Sequence, residues 1–264
     1  MANITAADVK RLRDTTQCGM LDCKKALIET DGDFDAAVDL LRKKAGIKAD
    51  KKAGREANEG LTATAVSGNA GAIIQVACET DFVAKTDRFQ DFVNNLVQKV
   101  IERSDDGDVT EAVSEEQAEE LKGLIGTIGE NMKIIKAARY TTDGKVGSYI
   151  HAGGKIGVLV EVEGTDDEDL IKDICMHIAA MSPTYITPDD IPAEDVEKEK
   201  AIAAEKHAGK PADIIDKILM GHINKWYTDI CLMKQSWFKE DKSTLEQIAP
   251  KVKVKRFERL QAGA

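Results

Sequence analysis

The residues that could carry out covalent chemistry are few, and their spacing fits no recognised catalytic site. Cys78, His151 and an acid-rich loop could supply a nucleophile, a base and an acid, but no nucleophile and base stand together in a local motif. The cysteines show neither CxxC nor Cys/His ligand spacing, which argues against a zinc site and a disulfide framework. The five are Cys18, Cys23, Cys78, Cys175 and Cys231. We therefore expect reduced thiols, no metal and no catalytic residue.

Phosphate binding by the chain itself is not indicated either. The sequence has neither GxxxxGK[ST] nor GxGxxG, the glycine-rich turns whose backbone amides cradle phosphate groups. The net charge of −10 and the pI near 5.1 argue against gripping a nucleic-acid backbone, since that needs a surplus of lysine and arginine. We therefore expect no cofactor, no direct nucleotide binding, and a protein or small molecule as partner.

One short stretch places unusual residues where a strand meets a helix. The segment "ETDFVAK" (residues 79–85) follows "GAIIQVAC", which has the composition of a buried strand, and precedes a helical run. Phe82 is either a hydrophobic staple that packs back on its own helix or an aromatic side chain that protrudes toward a partner. The residue types alone leave both interpretations open.

Helix start signals divide the beginning of the chain into three short helices. Thr5 and Asp8 form a capping-box pattern that predicts a helix ending near Thr15. A second helix begins near Met20, and Asp33 can cap a third. Three helices of this length make a small bundle of the kind that usually docks on a partner.

A basic stretch, "RKKAGIKADKKAGR" (residues 42–55), follows the third helix start. It has seven basic residues, one acid and no sustained apolar stripe, so we expect a helix end and a linker. Nucleic-acid binding through this stretch is the alternative, and a salt-dependent affinity for RNA would be its signature.

The middle of the chain reads as two related halves, each a hairpin followed by a helix. In the first, strands are expected at Leu61–Val66 and Ala72–Cys78, then a helix, a helical run over Val113–Ile128 and a strand from Met132. In the second, "KVGSYIHAGGKIGVLVEVEG" gives two strands, followed by a helix over Asp167–Met181.

A constant offset of 85 residues relates the two halves. It places Thr80-Asp81 on Thr165-Asp166 and keeps the apolar phase of both the strand and the helix. Phe82 then corresponds to Asp167, so only one half has an aromatic residue at its strand–helix junction.

The last third of the chain changes character. "EDVEKEKAIAAEKHAGKPADIIDKILMGHINKWYTDI" predicts two helices separated at Gly209-Lys210-Pro211, which form an antiparallel helical hairpin. The alternation in "KVKVKRFER" predicts an edge strand that returns to the second sheet.

The fold class predicted from these elements is α+β, with an N-terminal three-helix bundle, a duplicated core of antiparallel sheet plus helices, and an inserted helical hairpin that packs as a coiled coil. We expect the bundle and linker at residues 1–55, the first core unit at 56–140, the second at 141–182 and 230–264, and the hairpin at 183–229. The start of the chain lacks the apolar core of a signal peptide, and no apolar run approaches membrane-spanning length. We expect a cytoplasmic protein with no membrane contact.

Six strings, in order and over nearly the whole chain, carry a resemblance to a known family. They are "MLDCKKAL", "ETDFVAK", "IGEN", "GSYIHAGGKIGVLVEV", "MHIAA" and "RFE". Together with the bundle, which also resembles a ubiquitin-associated domain (UBA-like), they resemble bacterial elongation factor Ts. The resemblance favours the protruding interpretation of Phe82.

The resemblance implies a guanine-nucleotide exchange factor that binds the GTPase elongation factor Tu in translation elongation and performs no covalent catalysis. It implies that Asp81 and Phe82 enter the GTPase near its magnesium and phosphate site, and that Thr80 and Val83 also contact the GTPase. The other contacts it implies are made by Met20, Lys24, Ile128, Gly129 and His151. For the hairpin it leaves open a homodimer contact or a second contact with elongation factor Tu.

Three of these residues also have a structural interpretation. Met20 can fill the small core of the bundle, Lys24 can be a solvated helix residue, and His151 can be an ordinary surface residue of a strand. The competing function is an interaction module joined to an inert scaffold. The duplicated core, and the presence of an aromatic residue, Phe82, at the junction of only one half, argue against it.

Overall fold

The computed structural model describes residues 4–205 and 212–263, beginning with the predicted three-helix bundle. Its helices are α1 (Ala6–Thr16), α2 (Met20–Glu29) and α3 (Phe34–Asp50). Thr5 and Asp8 form the predicted capping box, and the Asp33 carboxylate accepts a hydrogen bond from the backbone N–H of Ala36 at 2.9 Å. Local capping signals therefore set where α1 and α3 start.

The third helix is longer than its sequence indicates. α3 continues to Asp50 through most of the stretch expected to contain a helix end and a linker. Leu41, Ala45 and Ala49 are buried along it at a spacing of four; Leu41 belongs to the core of the bundle, and Ala49 to the core of the next unit. The stretch is thus a helix end and a linker, as predicted, but the helix end takes up residues 42–50, because small alanines can form its buried stripe.

The first half of the middle region is a four-stranded antiparallel sheet with helices on one face. Its strands are β1 (Glu59–Ser67), β2 (Ala70–Cys78), β3 (Gly107–Asp108) and β4 (Met132–Thr141), in the order β1-β2-β4-β3. Its helices are α4 (Asp81–Ala84), α5 (Asp87–Ile101), α6 (Thr110–Glu116) and α7 (Ala118–Ile128). The helical run predicted over Val113–Ile128 therefore belongs to two helices, which meet at Gln117.

The remainder of the chain builds a second sheet and a helix pair. Its elements are β5 (Lys145–His151), β6 (Ile156–Glu163), α8 (Glu168–Met181), α9 (Ala193–Glu205), α10 (Ala212–Ile230), β7 (Ser236–Trp237), β8 (Glu240–Thr244), α11 (Leu245–Ile248) and β9 (Lys253–Gln261). The sheet order β5-β6-β9 confirms that the tail returns as an edge strand.

The helix pair α9 and α10 makes direct contact, with Glu199 Oε1 and His222 Nε2 2.6 Å apart. The break predicted at Gly209-Lys210-Pro211 lies outside the described residues. A coiled-coil packing of these helices stays a prediction.

The two larger sheets pack face to face. Their shared apolar cluster consists of Ile73, Ala138, Tyr140, Val146, Leu159 and Leu260. α5 covers the outer face of the first sheet and α8 that of the second, so the layers run helix, sheet, sheet, helix. Gly71 allows the close approach, because a Cβ there would overlap Val146 and Leu159. The α+β fold class is confirmed.

Each half has a β-bulge at the same place in its sheet. These bulges show which residues of the two halves correspond more accurately than the sequence offset of 85 does. The pairing of β2 with β4 shifts after Gln75, and the pairing of β6 with β9 shifts after Glu161, an offset of 86 residues from 75 to 161. The offset of 85 places Ile74, which faces α5, on Leu159, which faces the other sheet. The predicted strand correspondence is thus wrong by one residue, since side chains alternate between faces.

His177 is a fully buried ionisable residue in the second half. Its Nδ1 accepts a hydrogen bond from the backbone N–H of Phe238 at 3.3 Å, so its Nε2 carries the proton and donates to Gln235 Oε1 at 3.1 Å. The ring stacks on Trp237 with centroids 4.9 Å apart. Burial lowers the pKa of His177 below its ordinary value of 6.5.

Because the pKa of His177 is lowered in the folded state, we expect the protein to lose stability as pH falls below about 6.5. In that range His177 is protonated in the unfolded state but stays neutral in the folded state. The free energy of unfolding should fall by up to about 1.4 kcal/mol per pH unit until the folded pKa is reached. Urea denaturation between pH 7.5 and 5 measures this, with His177→Gln as the control. The same pH slope in both proteins would contradict the prediction.

Candidate functional site

The segment of residues 79–85, here called the Phe82 turn, presents an aromatic ring to solvent. The Thr80 hydroxyl caps α4 by accepting a hydrogen bond from the Val83 N–H at 3.3 Å, and Ala84 is buried in the core below. Phe82 is 78% exposed, more than any other large apolar side chain in the described part of the chain. The staple interpretation requires burial and is therefore wrong.

A second turn, residues 128–131 and here called the IGEN turn, holds the Phe82 turn in place. Gly129 ends α7 with a φ of +93°, a conformation that favours glycine. The Glu130 carboxylate then accepts two hydrogen bonds from Thr80, one from the backbone N–H at 3.0 Å and one from the hydroxyl at 2.7 Å. The backbone N–H and the hydroxyl of Thr80 therefore donate to the same carboxylate. These two hydrogen bonds fix the start of α4.

Further hydrogen bonds join the IGEN turn to the segment after α3. Lys52 Nζ donates to the Gly129 carbonyl at 2.6 Å, and the side-chain amide of Asn131, which is buried, donates to the Arg55 carbonyl at 2.6 Å. The backbone N–H of Asn131 donates to the Glu79 carboxylate at 2.6 Å. The Phe82 turn, the IGEN turn and the segment after α3 are thus one hydrogen-bonded unit.

An exposed ion pair flanks the ring. Asp81 Oδ2 lies 2.5 Å from Lys85 Nζ, and this hydrogen bond, with a smaller contribution from the charge of Lys155, lowers the pKa of Asp81. Lys155 forms an ion pair with Glu59 at the start of β1. The turn after β5 therefore lies on the same side of the molecule as Phe82.

His151 is exposed at the end of β5, directly before that turn. The Tyr149 hydroxyl and His151 Nδ1 are 3.1 Å apart, and their rings lie 5.9 Å apart between centroids. The structure therefore leaves the His151 side chain accessible on the side of the molecule that carries the Phe82 turn.

The remaining predicted residues lie on two elements. Met20 is the first residue of α2 and is 44% exposed, so the interpretation that it fills the core of the bundle is wrong. Lys24 is exposed one turn further along α2. Ile128 is half-buried against the core, and with Gly129 it lies in the IGEN turn. The structure thus joins Ile128 and Gly129 to the Phe82 turn, while Met20 and Lys24 form a separate surface.

Comparison with known proteins agrees with these features. The sequence model of the family described as Elongation factor TS matches residues 79–264, beginning at the first residue of the Phe82 turn. Elongation factor Ts from Janthinobacterium sp. (strain Marseille) is 46% identical, covering 100% of this chain and 92% of the relative. The chain belongs to the elongation factor Ts family. It is therefore an elongation factor of protein biosynthesis.

Other members of the elongation factor Ts family show similar agreement. The protein from Trichlorobacter lovleyi is 43% identical, covering 98% of this chain and 93% of the relative. The protein from Nautilia profundicola is 46% identical, covering 92% of this chain and 84% of the relative. At 98% coverage the alignment with the Trichlorobacter lovleyi protein extends into the helical bundle, which precedes the region matched by the family's sequence model.

The structure gives this elongation factor Ts homologue no activated nucleophile at Cys78. Burial raises the pKa of this thiol to about 12, and its Sγ–H donates to the Thr80 carbonyl at 3.2 Å. Within residues 4–205 and 212–263 there is no group of three or more side chains suited to a metal ion. No helix among them is long and apolar enough to cross a membrane.

Sequence reasoning missed the residues that position the Phe82 turn, namely Lys52, Glu79, Glu130 and Asn131. "IGEN" after a helix contained a usable signal, since glycine ends helices and the polar residues after it can bond to backbone. Which backbone they contact depends on segments 50 to 78 residues away in the sequence. A local pattern does not contain that information.

Proposed function

We propose that this protein is the guanine-nucleotide exchange factor of elongation factor Tu. In this proposal it binds the GDP-bound GTPase, disturbs the magnesium and phosphate site, and so promotes release of GDP. The observation that carries the proposal is the Phe82 ring, 78% exposed on a turn whose start is fixed by Glu130. Such a ring would gain free energy on being covered by a partner protein, so the turn is suited to a protein contact.

The exchange follows from binding alone. A partner that binds the nucleotide-free GTPase more tightly than the GDP-bound form must, by linkage, weaken GDP binding by the same factor. Mg²⁺ requires near-octahedral ligands, so a small displacement of one ligand or of the helix behind it weakens the hold on GDP. The protein needs neither a catalytic residue nor a nucleotide site of its own for this mechanism.

Phe82 is not sufficient by itself. Nanomolar nucleotide binding corresponds to about 12 kcal/mol, whereas burial of one phenylalanine contributes about 1.5–3 kcal/mol. We propose that Met20 and Lys24 on α2, Ile128 and Gly129 in the IGEN turn, and His151 after β5 supply further contacts. Within the Phe82 turn, we propose that Asp81 and Phe82 contact the GTPase, while Thr80 and Val83 hold the turn.

The basic stretch offers little support for a nucleic-acid partner. Lys44 and Lys48 form ion pairs with Glu29 and Asp22 of α2, and Lys52 bonds to the Gly129 carbonyl. Arg55 lies 3.4 Å from the Glu79 carboxylate. Four of the seven basic residues of the stretch thus have partners within the protein, which reduces its free positive charge.

Linkage gives the proposal a quantitative test that does not depend on any substitution. We expect the protein to bind nucleotide-free elongation factor Tu more tightly than the GDP-bound form, by the same factor by which it weakens GDP binding. Isothermal titration calorimetry on both forms, and on GDP with and without this protein, measures the two factors. Equal affinity for the two forms would contradict exchange.

A further inference from the structure

The contact between α3 and α7 joins the helical bundle to the first core unit at unusually short range. Gly126 of α7 faces Ala45 of α3, and a Cβ at position 126 would lie 2.5 Å from Ala45 Cβ and 2.7 Å from Ala45 Cα. Real Cβ atoms do not approach other atoms this closely, and one of the two atoms is backbone. Any side chain at position 126 would therefore push the helices apart.

The other glycines of these two helices have no such role. A Cβ at Gly123, one turn earlier in α7, or at Gly46 in α3 would meet no atom within 4 Å. Glycine inside a helix is less favourable than alanine by about 1 kcal/mol. The absence of a side chain is therefore needed for packing at Gly126 but not at Gly123 or Gly46.

The orientation of α2 follows that of α3. Ion pairs join Asp22 to Lys48 at 3.0 Å and Glu29 to Lys44 at 2.5 Å, and the two helices share the buried core of the bundle. At its far end α3 leads into Lys52, which is bonded to the IGEN turn. The α3–α7 contact thus lies between the exposed surface of α2 and the Phe82 turn.

We propose that Gly126 is a positioning residue that sets the distance and angle between the α2 surface and the Phe82 turn, so that one partner contacts both at once. This inference rests on the function proposed above. Two surfaces on one rigid body bind cooperatively, because after the first contact the second is made at high effective concentration. If the bundle were held in a different position, it would keep its fold, but the gain in affinity from two simultaneous contacts would be lost.

A double-mutant cycle tests the inference. We expect Gly126→Ala to weaken the affinity for elongation factor Tu by about five- to tenfold, the loss typical of one anchoring contact. Met20→Ala should then cause no further loss in the Gly126→Ala protein, although it weakens the otherwise unchanged protein. Gly123→Ala is the matched control and should leave the affinity unchanged. Additive losses for Gly126→Ala and Met20→Ala would overturn the inference, since a purely structural role does not couple them.

A second measurement needs no partner. Spin labels in place of Lys10 on α1 and Gln98 on α5, both exposed, report the distance from bundle to core by electron paramagnetic resonance. The distance distribution should shift or broaden with Gly126→Ala and stay unchanged with Gly123→Ala. Ala45→Val crowds the same contact from α3 and replaces Gly126→Ala if that protein does not fold. An unchanged distribution would overturn the inference, whereas failure of the unsubstituted protein to bind elongation factor Tu would overturn the proposed function instead.

Discussion

Replacing Phe82 with alanine should slow the stimulated release of GDP from elongation factor Tu at least about tenfold and leave the protein folded. The ring is 78% exposed, so its removal changes the free energy of unfolding by less than about 0.5 kcal/mol. In the complex the same ring would be buried, and losing about 1.5–3 kcal/mol of burial corresponds to a tenfold or larger effect. Release of fluorescent GDP and urea denaturation measure the two quantities.

Val66→Ala is the matched control for Phe82→Ala. Val66 is also an exposed apolar side chain, at 45%, but it lies at the opposite end of β1 from Glu59, which pairs with Cys78 beside the Phe82 turn. Val66 and Glu59 are seven residues apart along this strand, which corresponds to roughly 23 Å. Equal rates for the Phe82→Ala and unsubstituted proteins would show that the ring is not used, and equal losses in both variants would show a nonspecific effect.

Removing the Glu130 carboxylate should slow exchange nearly as much as removing the ring itself. Glu130→Ala leaves the backbone N–H and the hydroxyl of Thr80 without their acceptor, and hydrogen bonds to a charged group contribute about 1.5–3 kcal/mol. The start of α4 then loses its fixed position, and Phe82 is presented in many orientations. The same GDP-release assay measures the rate.

A cycle with Phe82 separates positioning by Glu130 from direct contact. If Glu130 acts only through the Phe82 turn, the Glu130→Ala, Phe82→Ala double variant should be no slower than Phe82→Ala alone. Glu120→Ala serves as the control, because the Glu120 carboxylate also accepts a hydrogen bond, from Lys99, and lies on the helix that ends in the IGEN turn. A further loss in the double variant would contradict the positioning role.

The parts of the fold that were predictable from sequence are those set by neighbouring residues. The cap at Thr5, the cap at Asp33 and the alternating tail strand all depend on contacts within a few positions, and all are present. The continuation of α3 to Asp50 was not predictable in the same way. Its buried stripe consists of Ala45 and Ala49, whose burial depends on where α7 lies.

The candidate site likewise has one part that could be predicted from neighbouring residues and one part that depends on distant residues. The sequence drew attention to Phe82 through its place at a junction, but the angle of the turn decides whether such a ring is buried. That angle is set by Glu130, 50 residues away in the sequence, and by the break between α4 and α5. In the other half, β6 leads to Asp167, the N-cap of an unbroken α8, so no separate turn projects there.

In the proposed mechanism, residues with different roles would together give a small surface a large effect. Phe82 would be the probe, the IGEN turn would hold it, and the α3–α7 contact would relate it to α2. Each of the last two uses residues that need not touch the partner, such as Glu130, Asn131 and Gly126. Substitutions that impair exchange should therefore extend beyond the exposed surface into these buried contacts.

The most direct test of the central claim is the release rate of fluorescent GDP from purified elongation factor Tu as this protein is added. We expect the observed rate to rise with concentration and then saturate, with most of the increase lost when Phe82→Ala is added in place of the unsubstituted protein. A rate that stays at its spontaneous value over the whole concentration range would contradict nucleotide exchange as the function of this protein.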